Sequence, residues 1–309
     1  MKKISPFRLG GTLYMPATRT DILDVVFREK LPELRSLVVC LEDSVSASQV
    51  DYALSNLQAL LEQIDSRGGC AGNGPLLFVR PRNAGMAATL NNWPLIGHVD
   101  GFVLPKISLR NLHEWDTAVS NPALAVMPTL ETSEVFSPGA MVELGEGLKA
   151  SFGDRVVALR IGANDLLGSM GLRRNPLETL YSTPMAYVIP MLGGIMGAQG
   201  FSLTAPVFEQ FSAPELLKKE LALDISHGLV GKTAIHPAQI PLINEAFRVR
   251  REDLDCARLI VTNDAPAVFK FDDAMCEPAT HYQWATRIID RAEWYGVREE
   301  IEDLEMDAA

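Results

Sequence analysis

The run Ser36-Leu37-Val38-Val39-Cys40-Leu41 is apolar without interruption and stops on two carboxylates, Glu42-Asp43. From Gln49 to Ile64 apolar residues then recur at helical spacing, with Ser46 or Ser48 placed to cap the helix. An apolar run without alternation suits a strand buried on both faces, and the helix behind it supplies a parallel crossover. The same unit recurs along the chain. Asp21 to Lys30 reads as a helix with Asp21 as its cap, and further strand-like runs lie at 12–15, 76–79, 101–104, 124–127, 156–161, 201–207 and 233–235. With 36–41 these make eight, which favours a closed (β/α)8 barrel over a doubly wound sheet.

Charge gathers where the strands end. Glu42 and Asp43 follow the second, Arg80 the third, Lys106 the fourth, Glu131 the fifth, Asp165 the sixth and His236 the eighth. A single charged residue at such a place is usually just leaving the core. In a barrel, however, all strand C-termini open on one face, so these groups share one pocket.

The chain has 309 residues, 47% hydrophobic and 22% charged, with a formal net charge of -11. A barrel needs about 250 residues, so the expected organisation is a barrel over 1–245 and a helical extension over 246–309. The acidic balance, without any cluster of Lys and Arg, argues against a nucleic-acid surface. It leaves room for an anionic substrate held by a few arginines and a divalent cation. The segment from Tyr187 to Phe201 is apolar but broken by Pro190 and glycines and too short to span a bilayer, so it is expected to pack as a buried helix. Met1-Lys2-Lys3 is not followed by an apolar stretch of signal-peptide length. Cys40, Cys70, Cys256 and Cys276 show no metal spacing and read as reduced thiols of a cytoplasmic protein.

Tyr14-Met15-Pro16-Ala17, Leu41-Glu42-Asp43-Ser44-Val45, Val79-Arg80, Leu104-Pro105-Lys106, Glu131-Thr132, Gly162-Ala163-Asn164-Asp165-Leu166 and Gly231-Lys232-Thr233-Ala234-Ile235-His236-Pro237-Ala238-Gln239-Ile240 occur in that order. Together they resemble the citrate lyase beta subunit family, which includes malyl-CoA and citramalyl-CoA lyases, over about Leu13 to Pro278. The resemblance implies a TIM barrel that cleaves a 3-hydroxy acyl thioester with Mg2+ held by Glu131 and Asp165. It makes Arg80 the substrate arginine, Lys106 and Glu131 further substrate contacts, and Glu42 and Asp43 catalytic groups that orient Arg80 or the metal's waters. The bland alternatives are a helix cap for Asp165, a Glu131–Lys106 ion pair and a rim salt bridge for Arg80. His236 is expected to fix the end of the last strand.

Three departures bear on substrate choice. The family's Arg-x-Asn reads Arg80-Pro81-Arg82-Asn83 here, so Arg82 shares the candidacy of Arg80. In acyl-CoA relatives the C-terminal extension covers a neighbouring subunit's site and brings an Asp; here Asp273-Ala274-Met275-Cys276-Glu277-Pro278 offers Glu277, the alternative being a solvent-facing side chain. Near the seventh strand, where the family often has Asp, the chain reads Thr204-Ala205-Pro206-Val207. The leading expectation is a Mg2+-dependent lyase acting on citramalyl-CoA or malyl-CoA, assembled as a homo-oligomer, trimer or hexamer, without nucleic-acid or membrane partners. A citrate lyase beta subunit acting on a carrier-bound citryl thioester, a metal-dependent aldolase on free hydroxy-keto acids, and a non-catalytic acyl-CoA-binding subunit are the alternatives.

Overall fold

Eight parallel strands form the sheet: β1 (Gly11–Pro16), β2 (Ser36–Cys40), β3 (Leu76–Arg80), β4 (Gly101–Leu104), β5 (Ala125–Leu130), β6 (Leu159–Ile161), β7 (Leu203–Thr204) and β8 (Lys232–Ala234). The computed structural model describes residues 3–70 and 74–298. Strand order runs β7-β6-β5-β4-β3-β2-β1-β8, and a parallel bridge from Ala205 to Lys232 joins the two ends into a barrel. Every residue of β2, β3 and β5 is buried, as strands covered on both faces must be. The seventh strand is far shorter than its apolar run: Leu203 and Thr204 pair with β6, and Pro206 has no N–H with which to extend the ladder.

The crossovers are α1 (Ile22–Val26), α2 (Val50–Ser66), α3 (Ala84–Asn91), α4 (Leu112–Ala118), α5 (Pro138–Phe152), α6 (Ala163–Ser169), α7 (Met185–Ala198) and α8 (Pro214–Ser226), and α9 (Gln239–Ala246) follows the last strand. Helix α2 buries Ala53, Leu57, Leu60, Leu61 and Ile64, one stripe at helical spacing; each large side chain so covered contributes roughly 1.5–3 kcal/mol. Two expected caps are absent. Asp21 binds Arg19 and Lys30 instead of a helix N–H, and α1 is only five residues long. Ser46 hydrogen-bonds Ser48 and Gln49, so α2 starts without a side-chain cap. Helix α7 contains Pro190 and buries Val188, Ile189, Leu192 and Met196 while Tyr187 faces solvent. No helix among the described residues is long and apolar enough to cross a membrane.

A buried charge network ties α8 to the sheet. Lys232 Nζ on β8 donates to Glu220 (2.9 Å) and Asp224 (2.7 Å), and Arg174 donates to Glu220 at 2.5 Å and to the Val207 carbonyl at 2.7 Å. The Leu180 N–H and the Tyr181 hydroxyl complete it, at 2.7 Å to Glu220 and 2.9 Å to Asp224.

The chain divides into two compact units, Met1–Ala246 and Phe247–Ala309. In the second, α10 (Arg251–Ile260) packs on α11 (Pro278–Tyr295) beside an antiparallel hairpin of β9 (Phe269–Phe271) and β10 (Ala274–Cys276). Its core holds Cys256, Ala257, Ile260, Cys276 and Ala285. The two sulfurs lie 3.3 Å apart, and burial, with the hydrogen bond to Cys276, pushes the Cys256 thiol up to about 12, which favours its protonated form.

Candidate functional site

The charges at five strand ends meet. Arg80, the last residue of β3, is buried and puts Nη2 at 2.9 Å from Glu42, 3.4 Å from Asp43 and 3.2 Å from Glu131. Lys106 Nζ, beyond β4, lies 2.5 Å from Glu42, 3.5 Å from Asp43 and 3.8 Å from Asp165. Lys106 holds a left-handed backbone (φ 52°), unusual for a side chain with a Cβ. That turn aims its N–H at Glu131 Oε1 (2.8 Å), while Asn111 holds its carbonyl at 2.9 Å. Strain retained at such a position is characteristic of functional sites.

Glu131 sits just past β5 and presses against Gly162, the residue that follows β6 and precedes α6. A Cβ at position 162 would come within 2.3 Å of Glu131 Oε2 and 2.5 Å of its Cβ, so only glycine leaves the carboxylate its place. Gly162→Ala is expected to overpack the site at a cost of about 1–3 kcal/mol and to weaken cation binding at least about tenfold. Calorimetric cation titration checks this. Gly168→Ala, where a Cβ meets nothing within 4 Å, is the neutral control.

Four carboxylates here face two cations. Burial drives the Glu131 carboxyl up to about 7, with Asp165 adding repulsion and Arg80 and the Lys106 N–H opposing. Burial also raises Glu42. Asp43, half-exposed, stays below the usual range because Glu42, Arg80 and Lys106 outweigh its desolvation. Burial works against the charges of Arg80 and Lys106, but the surrounding acids, with Tyr14 beside Arg80, hold both protonated. The excess of negative charge and the Glu131–Asp165 repulsion suit a hard divalent cation with oxygen ligands. Among the described residues no three His, Cys, Asp or Glu side chains converge as a complete metal cage. Mg2+ does not require one, since it commonly takes one or two carboxylates and keeps several waters.

Other expected residues lie elsewhere. Arg82 donates to the carbonyls of Leu41 (3.3 Å) and Val45 (2.8 Å), so its guanidinium holds the loop carrying Glu42 and Asp43 and is not part of the charge ring. His236 accepts the Ala238 N–H at 3.2 Å and leans on Phe211. Glu277 belongs to the second unit, where it precedes α11 and accepts from the Thr280 hydroxyl at 3.1 Å. Arg160, inside β6, is a buried cation among the barrel side chains that the apolar run concealed. The Nε of Arg80 and the hydroxyl of Thr132 are buried without a hydrogen-bond partner, which leaves two polar groups available to a ligand.

Comparison with known proteins finds that residues 3–297 match the family described as C-C bond lyase of the TIM-barrel fold. A (3S)-malyl-CoA thioesterase of Cereibacter sphaeroides is 24% identical over 258 residues, 82% of this chain and 81% of that protein. A citrate lyase subunit beta-like protein of Deinococcus radiodurans is 26% identical over 290 residues, 88% of this chain and 93% of that one. The crystal structure of CitE from Mycobacterium tuberculosis, in complex with magnesium, acetoacetate and coenzyme A, superposes with a TM-score of 0.65 at 22% identity, covering 93% of this chain and 99% of that one.

Proposed function

Because the chain belongs to the family of carbon–carbon bond lyases of the TIM-barrel fold, we propose that it is a Mg2+-dependent lyase that cleaves a 3-hydroxy-dicarboxylyl-CoA, of the citramalyl-CoA or malyl-CoA type, into acetyl-CoA and an α-keto acid. One observation carries the reading: Arg80 Nη2 lies within 3.4 Å of Glu42, Asp43 and Glu131, beside Lys106 and Asp165. Such an array can hold a cation and an anionic substrate together. The magnesium bound by relatives such as CitE supports the same reading.

Glu131 and Asp165 would hold the metal, which when bound supplies Lewis-acid polarisation of the substrate's hydroxyl and carboxylate oxygens. Arg80, whose Nε is free, donates its planar fork to the oxygen that gains charge as the C–C bond breaks. Glu42, raised by burial, accepts the hydroxyl proton and, once the C–C bond has broken, returns it to the enolate carbon to give acetyl-CoA. Asp43 and Lys106 fix the positions of Arg80 and Glu42, and Arg82 braces the loop that carries both acids.

The C. sphaeroides relative favours a second reading, hydrolysis of the thioester of (3S)-malyl-CoA. Product analysis separates the two. With Mg2+ and either citramalyl-CoA or malyl-CoA, the lyase releases acetyl-CoA with pyruvate or glyoxylate, and a chelator abolishes release. Free CoA with malate would instead establish hydrolysis, and no turnover of either thioester would overturn both.

A further inference from the structure

The C-terminal unit holds two thiols in its core that the proposed reaction does not use. Cys256 lies midway along α10 and Cys276 ends β10, and both are buried, at 7% and 5% exposure. Their sulfurs stand 3.3 Å apart although the residues are 20 positions apart in the chain, so it is the packing of the hairpin on α10 that brings them together. Ala257, Ile260 and Ala285 complete the cluster, with Phe269 and Phe271 of the hairpin packed against it. Cys40 and Cys70 belong to the first unit, so the pair has no competing thiol in its own.

A cleft of about 350 Å³ opens onto the pair, and both cysteines line it beside Phe271, Met275, His281 and Trp284. It admits a small oxidant to two thiols that are otherwise covered. Among the described residues no three His, Cys, Asp or Glu side chains converge as a metal site, whereas a structural zinc takes four ligands. Two thiols already in contact are arranged instead for a bond to each other. The sulfurs need to approach by only about 1.3 Å to reach the length of a disulfide.

We propose that Cys256 and Cys276 are a reversible dithiol–disulfide pair, oxidised by a small hydroperoxide, which fastens α10 to β10. With hydrogen peroxide the Cys276 sulfur attacks one oxygen, the O–O bond breaks, and the thiol becomes a sulfenic acid as the first water leaves. The Cys256 sulfur then attacks that of Cys276, its proton goes to the departing oxygen, and the second water leaves as the S–S bond forms. Two thiols are oxidised and one peroxide is reduced. Cys256, held protonated by burial and by its bond to Cys276, takes the second role. The bond closes a 20-residue loop, which makes local opening of the unit rarer. Glu277 directly follows Cys276 and precedes α11, so the oxidised state also holds the segment that carries this carboxylate. The inference does not depend on the lyase reading.

Treating the reduced full chain with a few equivalents of hydrogen peroxide, blocking the remaining thiols by alkylation and mapping the peptides by mass spectrometry tests the assignment. The expected result is one disulfide-linked species that joins the Cys256 and Cys276 peptides, with Cys40 and Cys70 still alkylated, and that reverts with dithiothreitol. Backbone amides of α10 and β10 are expected to exchange with deuterium at least about tenfold more slowly in the oxidised chain. Cys256→Ala is expected to abolish both the crosslink and the slowing. If that variant does not fold, Cys276→Ala takes its place, and if neither folds the wild-type mapping decides alone. Cys256 and Cys276 recovered alkylated, carried on to sulfinic acid or paired with Cys70 would overturn the proposal. A crosslink that leaves deuterium exchange unchanged would overturn it as well, since the bond would then fasten nothing. Because neither readout uses an acyl-CoA, the presence or absence of lyase activity leaves the result as it stands.

Discussion

Glu131→Gln is expected to lower carbon–carbon cleavage of the acyl-CoA substrate by about 10³-fold or more and to leave the fold intact. The amide has the carboxylate's shape, and its oxygen can still accept from the Lys106 N–H and Arg80, which donate at 2.8 and 3.2 Å. What it lacks is the negative charge that a hard cation requires. A distinctive pH dependence accompanies this in the wild type. With the Glu131 carboxyl pushed up to about 7, the ligand-free site holds a proton below that pH, and the cation must displace it. Cation affinity should fall by about tenfold for each pH unit below 7 and level off above it. Titrations at pH 6, 7 and 8 check this, and an affinity flat across the range would contradict the assignment of Glu131 as a ligand.

The largest effect expected on stability comes from a residue remote from the chemistry. Glu220→Ala removes the shared partner of Lys232, Arg174 and the Leu180 N–H, in a network where Glu220 itself is fully buried. Breaking such a pair by deleting one member costs roughly 3–5 kcal/mol, because the cations left behind have no water to turn to. That is a large share of the roughly 5–15 kcal/mol that holds a typical domain folded. Urea unfolding of the barrel should shift accordingly. Removing the surface pair of Lys3 and Asp154, at 72% and 89% side-chain exposure, should change stability by less than about 1 kcal/mol.

These two sites differ in how legible they are in the sequence. The ring of charges could be read because each member lies at or within a few residues of the end of an apolar run, and strand ends in a barrel share one face. The strands could be read because burial on both faces removes polar residues from them. The network around Glu220 could not. Glu220 and Asp224 are four residues apart on α8, the spacing of an ordinary solvated face, and only the folded position of Lys232 shows them to be interior. Arg160 was concealed for the opposite reason, since one charge within Val156 to Ile161 does not disturb the impression of a strand. Arg80 and Arg82 are two residues apart in the sequence. It takes the carbonyls of Leu41 and Val45 to separate the arginine in the ring from the one that braces it. The helix caps at Asp21 and Ser46 failed because both side chains found partners nearer than the helix N–H groups.

Glu131 and Asp165, two strand-end carboxylates, are proposed to make one divalent-cation site. Electron paramagnetic resonance of Mn2+, a spectroscopic stand-in for Mg2+, tests it directly by counting free cation against added protein. One Mn2+ per chain is expected to bind in the wild type, displaced by Mg2+, and none at the same concentrations in Glu131→Gln or Asp165→Asn. Stoichiometric binding that survives both substitutions would place the cation elsewhere and contradict it.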